Sequence, residues 1–229
     1  KSLETSIMSF GDMIDGQPDL GDVAIDGLYL NIHRYEENST DNLSLFIDKF
    51  GSSDGSGGAP FVLEASELEV TNSRVMVYDE TLKYPESFYA RDLNLLASDF
   101  KIDGGVISAQ IETSNFLMHT GVMKEENGVR ELIVRDVKTD FSYSNTQIRA
   151  ADLEIETAGS KLKGDLKLNY VISDFADFNH NVDWDFKIEE SAIATNELRL
   201  FYNELVKTET VDLSGHMTGN LNDFYVKEL

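Results

Sequence analysis

The chain has 229 residues, with 42 acidic against 19 basic, for a formal net charge of −23. That length holds one large all-β unit or two smaller ones, and so acidic a surface repels phosphate backbones, which argues against a nucleic-acid partner. Cysteine is absent, excluding thiolate catalysis, disulfide scaffolds and cysteine-type zinc sites, and no apolar run approaches the roughly 20 residues that cross a bilayer as a helix.

Residues 2–10 alternate weakly around Leu3, Ile7 and Phe10. Gly16, Pro18 and Gly21 then break the chain. Val23 and Ile25 share a strand face, and Leu28, Leu30 and Ile32 share one beyond Asp26-Gly27, a dipeptide that shifts the parity as a bulge or tight turn does. Leu43, Phe46, Ile47 and Phe50 are spaced for a short helix capped by Asp41 or Thr40. Residues 51–60, GSSDGSGGAP, read as a flexible loop.

Strands are expected over 61–71 and 73–79, the second with Val75 and Val77 on one face. Tyr84-Pro85-Glu86 turns the chain into strands over 88–96, 100–102 and 106–113, where Ile107, Ala109 and Ile111 are in phase. Met118 and Met123 flank His119-Thr120-Gly121, and Glu125 to Gly128 reads as a hairpin turn into a strand over 129–137. Residues 141–143 and 148–157 lead to the clearest strand, 161–172. There Leu162, Leu166, Leu168, Tyr170 and Ile172 fall on one parity, and Lys161, Lys163, Asp165, Lys167 and Asn169 on the other. Val182, Trp184, Phe186 and Ile188 alternate against Asp183, Asp185 and Lys187. Thr195 is positioned to cap a second short helix carrying Leu198, Phe201, Tyr202 and Leu205. Val211, Leu213, Gly215, Met217, Gly219 and Leu221 close the pattern. The count is about a dozen strands and two short helices, and only 3 prolines interrupt them, which permits long sheet.

No catalytic constellation accompanies this grammar. Gly55 to Gly58 lacks the lysine and following helix of a phosphate loop. Ser160-Lys161-Leu162-Lys163 has a Ser-x-x-Lys string, but opens a strand rather than a helix. His33, His119, His180 and His216 are scattered, with no pair at ligand spacing, so no metal is expected. Asp183 and Asp185 share a face roughly 7 Å apart, which suits paired carboxylates, yet in so acidic a chain their simplest role is a wet outer surface. The apolar faces have two readings. Leu28, Leu30, Ile32, Val75, Val77, Ile107, Ile111, Leu166, Leu168, Tyr170, Trp184, Phe186, Ile188, Val211 and Leu213 form either the core of a β-sandwich, which would suit a glycan binder, or the lining of an open trough. Gly164, Gly215 and Gly219 on the apolar parity are placed to widen or bend such a trough.

Residues 23–50, with an apolar strand, a turn, then Asn42 and a Leu/Phe-rich helix, resemble the AsmA-like and TamB group of envelope proteins. The strand pair ending in an acidic turn at 63–79 is similar to the group's next unit. The aspartate-led strand with Thr157 and Ser160 resembles TamB-like proteins of Bacteroidetes type, as do the Leu213-Ser214-Gly215 and Gly219 to Phe224 stretches near the end. The resemblance implies an all-β, elongated curved sheet or β-taco-like groove with two short helices, spanning 1–229 as one segment of a larger envelope protein. It implies no enzyme activity and no cofactor. The implied setting is the periplasm, with an inner-membrane anchor elsewhere in the parent chain. The implied partners are phospholipid or another acyl-chain ligand and the outer-membrane barrel assembly machinery, the latter engaged by strand addition.

Overall fold

The structure is a computed structural model that describes residues 1–5, 18–38, 40–51, 62–121, 123, 131–171, 174, 178–199, 209–220 and 222–227. Twelve strands form a single sheet: β1 (Ser2–Thr5), β2 (Asp22–Asp26), β3 (Tyr29–Arg34), β4 (Val62–Asp79), β5 (Glu86–Asp103), β6 (Val106–His119), β7 (Leu132–Tyr143), β8 (Gln147–Thr157), β9 (Lys161–Asn169), β10 (Asp183–Ala194), β11 (Thr210–Gly219) and β12 (Phe224–Lys227). From β4 to β12 the sheet is an antiparallel meander in chain order, because each connection returns the chain beside the strand it has just left. β2 and β3 both run parallel to β4 along one edge, end to end, and β1 flanks β2. The sheet is open and curved, and all-β apart from short helical segments.

The helices are α1 (Asn42–Gly51), α2 (Phe178–Asn181) and α3 (Thr195–Leu198). Asp41 is the cap of α1: its carboxylate accepts from Ser44 N at 2.8 Å and from Ser44 Oγ at 2.8 Å. Asn42 then hooks the helix onto the outer edge of β3, donating to Asn31 O at 2.9 Å and accepting from His33 N at 2.8 Å. One side-chain amide thereby stands in for a strand at an edge that would otherwise be bare. Thr195 does not cap α3. Its hydroxyl instead exchanges hydrogen bonds with the Glu209 backbone, donating at 3.0 Å and accepting at 2.9 Å, and so joins the two ends of the β10–β11 connection. Gly51 closes α1. The expected loop at 52–60, the turn at 125–128, Ile7, Phe10, Ile172, Leu221 and the helical positions Phe201, Tyr202 and Leu205 lie outside the described residues.

Where the sequence suggests separate strands over 61–71 and 73–79, β4 runs on continuously, and the expected strands over 88–96 and 100–102 are both parts of β5. The interruptions are bulges. Asn72, Asp92, Asp99 and Asp152 all have positive φ, between 47° and 53°, and the cross-strand register slips at or beside each of them, at Asp152 against both β9 and residues 138–140 of β7. Asn and Asp tolerate this left-handed conformation better than other side-chain-bearing residues, so they make a bulge without ending the strand.

Two lines of irregularity cross the sheet. One runs from the β2–β3 break through Asn72 and Asp92 to Ser114. The other runs from Asp99 through Thr139, Asp152, Gly164 and the slip at 188–191 to Gly215. Buried hydroxyls repair the ladder along both. Ser73, 1% exposed, accepts from Leu28 N at 2.9 Å. Ser114 donates to Asn94 O at 3.1 Å, Thr139 donates to Ala151 O at 2.8 Å, and Ser191 accepts from Lys163 N at 2.9 Å.

Gly164 shows how tight the second line is. It has φ +154°, and a Cβ there would lie 1.9 Å from Lys187 O. Gly164→Ala is expected to lose about 2 kcal/mol or more of stability in urea unfolding. Gly104→Asn, in open space at a φ of +55° that Asn tolerates, is expected to change it by less than about 1 kcal/mol.

Candidate functional site

Cross-strand pairing, read between the register slips, sorts the paired residues onto two faces, and one face is predominantly apolar. Along one row, Leu63, Ile102, Ile107, Tyr143, Ile148, Leu168, Trp184, Gly219 and Phe224 are partners in turn. Neighbouring strands lie about 4.8 Å apart, so this row runs for roughly 40 Å. A second row joins Ala109, Phe141, Ala150, Leu166, Phe186, Met217 and Val226. Toward β2 and β3 the face continues as Leu30 beside Val75, Ile32 beside Val77 and Val23 beside Leu68. Thirteen of the fifteen residues nominated from sequence lie on strands and share a single face; Leu28 lies in the break between β2 and β3, and Tyr170 lies just past β9, where it packs against Leu168.

No second sheet lies over this face among the described residues, and burial reflects that. The small residues Ala65, Ala90, Ala97 and Ala150 are buried, whereas Leu68, Val75, Val77, Phe88, Leu95, Phe100, Ile107 and Ile111 stay only half-buried. Val23, Val70, Ile102, Val134 and Leu153 are also screened where the sheet curves, but those eight large side chains reach out of it. A filled sandwich core would bury the large residues first. The apolar face is a gutter.

The gutter is closed in one corner. Val182, 0% exposed, packs with Leu168 and Tyr170 against Ile148, Leu166 and Trp184. Burial pushes the Tyr170 phenol well above its ordinary range, and the protonated hydroxyl donates to Ser144 O at 2.6 Å. Leu166, Leu168, Tyr170 and Trp184 are thus on the nominated face, but as a local core rather than an open lining. The open stretch lies over β2 to β7.

At the opposite rim the apolar parity ends in charge. Arg34 follows Leu30 and Ile32, Asp79 follows Val75 and Val77, and the two are register partners. Arg34 Nη2 lies 3.0 Å from Asp79 Oδ2, Arg34 Nε donates to Asp79 Oδ1 at 3.1 Å, and Thr81 Oγ1 also bonds the guanidinium. This buried pair went unnoticed in the sequence, although a charge at the last apolar-parity position of two strands signalled it. Glu197 is a second such hub: its carboxylate accepts from Thr157 Oγ1 at 2.6 Å, Ser160 Oγ at 2.5 Å and Gly159 N at 2.8 Å. Ser160 of the Ser-x-x-Lys string is thereby tied into the β8–β9 turn.

The other face is wet. It carries Lys101 between Glu64 and Asp103, each at 3.0 Å, and Lys163 with Glu154 at 2.5 Å. The histidines are dispersed over it: His33 meets Glu80 at 3.0 Å, His119 meets Glu86 at 2.8 Å and His216 meets Asp185 at 2.7 Å. Among the described residues no three His, Asp or Glu side chains converge as metal ligands, and no helix is long and apolar enough to cross a membrane. Compared with known proteins, the chain matches no family model, no curated protein and no solved structure.

Arg91 clamps Glu131 with two hydrogen bonds, at 2.7 and 2.6 Å, tying β5 to the start of β7 across β6. Those bonds hold the Glu131 carboxyl below its ordinary value of 4.5. A lowered folded-state pKa adds stability that is present above the unfolded value and lost as pH falls through the folded one. Glu131→Gln is therefore expected to lower the melting temperature at pH 7, with the gap from wild type closing as the pH drops below 4.5. A gap that stayed constant from pH 7 to pH 3 would show that the charge plays no part.

Proposed function

We propose that the chain is a segment of an AsmA-like or TamB-type envelope protein whose apolar gutter carries phospholipid acyl chains across the periplasm between inner and outer membranes. The observation that carries this reading is an apolar face that continues across the sheet while many of its large side chains, Val75, Val77, Phe88, Leu95, Phe100 and Ile111 among them, remain half-exposed. Moving a 16-carbon chain into water costs on the order of 12 kcal/mol, at about 0.8 kcal/mol per methylene. A dry track lowers that cost without any bond being made or broken, and the acidic outer face keeps the sheet soluble. Among the described residues, apart from Arg34 with Asp79 at the rim, no cross-strand pair on the gutter face contains a charge that would interrupt the track.

A photo-crosslinking amino acid at Ile111, on the gutter face of β6, is expected to capture phospholipid in cells. The same residue at its neighbour Gln110, exposed on the wet face, is expected to capture at most background. Ile111→Arg should abolish capture from a second gutter position such as Val77 without unfolding the chain, because Ile111 is only half-buried. Equal lipid labelling from both faces would overturn the reading.

One observation favours strand addition as a second role, in outer-membrane protein assembly. β12 pairs only with His216–Gly219, so residues 210–215 of β11 present an edge unpaired among the described residues. Crosslinks from Asp212 to nascent barrel proteins, with none from Gln110, are the expected sign of that role.

A further inference from the structure

On the outer face, opposite the gutter, β8 to β11 enclose a depression of about 340 Å³ whose walls include Arg149, Lys167, Lys187, His216, Asp165 and Asp185. Its charge arrangement is unusual for a chain with so few cations. Arg149 and Lys167 are direct cross-strand partners, and so are Lys187 and His216, although each lysine also faces an aspartate between β9 and β10, Lys167 opposite Asp185 and Lys187 opposite Asp165. Like charges directly opposite one another destabilise a sheet, and a chain with 42 acidic residues has ample means to avoid the arrangement. Elsewhere on β9 it does so: Lys161 meets Glu156 at 3.3 Å and Lys163 meets Glu154 at 2.5 Å.

Both carboxylates in the depression are already engaged. Asp185 Oδ1 lies 2.7 Å from His216 Nε2, and Asp165 Oδ1 accepts from Asp152 N at 3.1 Å, across the second line of bulges. Lys187 Nζ turns to Glu189 at 3.1 Å. Lys167 faces Asp185 across the ladder to β10 without an ion pair to it, and Arg149 and Lys167 are left side by side, exposed, with no ion pair among the described residues. The buried residue Ala151 leaves the space beside them free of any side chain beyond a methyl group.

We propose that this depression binds a phosphate group, held between the Arg149 guanidinium and the Lys167 ammonium. A tetrahedral oxyanion placed there turns a repulsive cross-strand pair into two charge-assisted hydrogen bonds, with the planar guanidinium supplying two parallel donors and the lysine a point charge. The sheet itself separates the depression from the gutter, so an acyl chain in the gutter does not bring its own phosphate here. The phosphate comes from a soluble phosphate ester or from a lipid headgroup in a bilayer lying against the outer face. The site stands or falls independently of the gutter's cargo.

The test is an amide NMR titration of the full chain with inorganic phosphate against sodium chloride at matched ionic strength, alongside flotation with phosphatidylglycerol or phosphatidylcholine vesicles. The variants are Arg149→Gln with Lys167→Gln, and Lys161→Gln as a control. Saturable, phosphate-specific shifts around residues 149, 167 and 187, weakened about tenfold or more in the double variant and unchanged in the control, support the site with a soluble source. Flotation only with phosphatidylglycerol, lost in the double variant alone, supports it with a headgroup source. Shifts that match those from chloride, or binding indifferent to the double substitution, overturn it. Folding is checked separately, because relief of the like-charge pair predicts a double variant at least as stable as wild type without phosphate; a less stable one also counts against the proposal.

Discussion

The backbone hydrogen-bond ladder must be kept whole while long strands are bent. Strands of up to 18 residues, in one layer and greasy on one side, would otherwise form a flat sheet exposing that side along its length. The bulges at Asn72, Asp92, Asp99 and Asp152 break that flatness, but each removes a regular pairing and leaves backbone groups in a poorly hydrated place. Ser73, Ser114, Thr139 and Ser191 return those bonds from the apolar side. On the wet side the repair is made by amides and carboxylates: Asn72 donates to Asp26 at 2.7 Å, and Asn94 donates to Asn115 at 3.0 Å. The bonds from Asn72 and from the N-terminal ammonium also hold the Asp26 carboxyl below its ordinary range.

These repairs decide what kind of interior the protein has. Polar groups that are fully bonded to the ladder can sit on an apolar face without attracting water, so the gutter stays dry in character although hydroxyls line its creases. Large aliphatic and aromatic side chains then face one another across a curved sheet rather than a second layer. Among the described residues they form a buried cluster where Val182 folds over Leu168 and Tyr170. The rims carry the strongest polar clusters, Arg34 with Asp79 at one and Glu197 with Thr157 and Ser160 beside the β8–β9 turn. The strongest polar contacts are thus concentrated at rims and creases, and much of the middle of the apolar face stays half-exposed.

The two faces differ in kind. One offers a continuous apolar track, and on the other the acidic surface is interrupted where Arg149 and Lys167 stand side by side. The roles proposed above for the two faces are mutually compatible because each strand presents alternate residues to each side.

Alternation made the two faces legible before any coordinates. Leu166, Leu168, Trp184 and Phe186 against Lys167, Asp183 and Asp185 leave no other way for a strand to lie. Asp41 as a helix cap and Gly164 as a bending point were equally readable, since both rest on local stereochemistry. The continuity of β4 and β5 was not, because Asn72 and Asp92 look like turn residues, and only their neighbours' pairing shows that the strands resume beyond them. Nor was the role of Thr195, whose partner Glu209 lies 14 residues away. By itself the sequence determined which side chains share a face, for that follows from a period of two. Whether those faces close on each other or remain a gutter was decided by the tertiary structure alone, because it depends on how bulges in different strands line up across the sheet, a relation between residues far apart in the chain that no local pattern records.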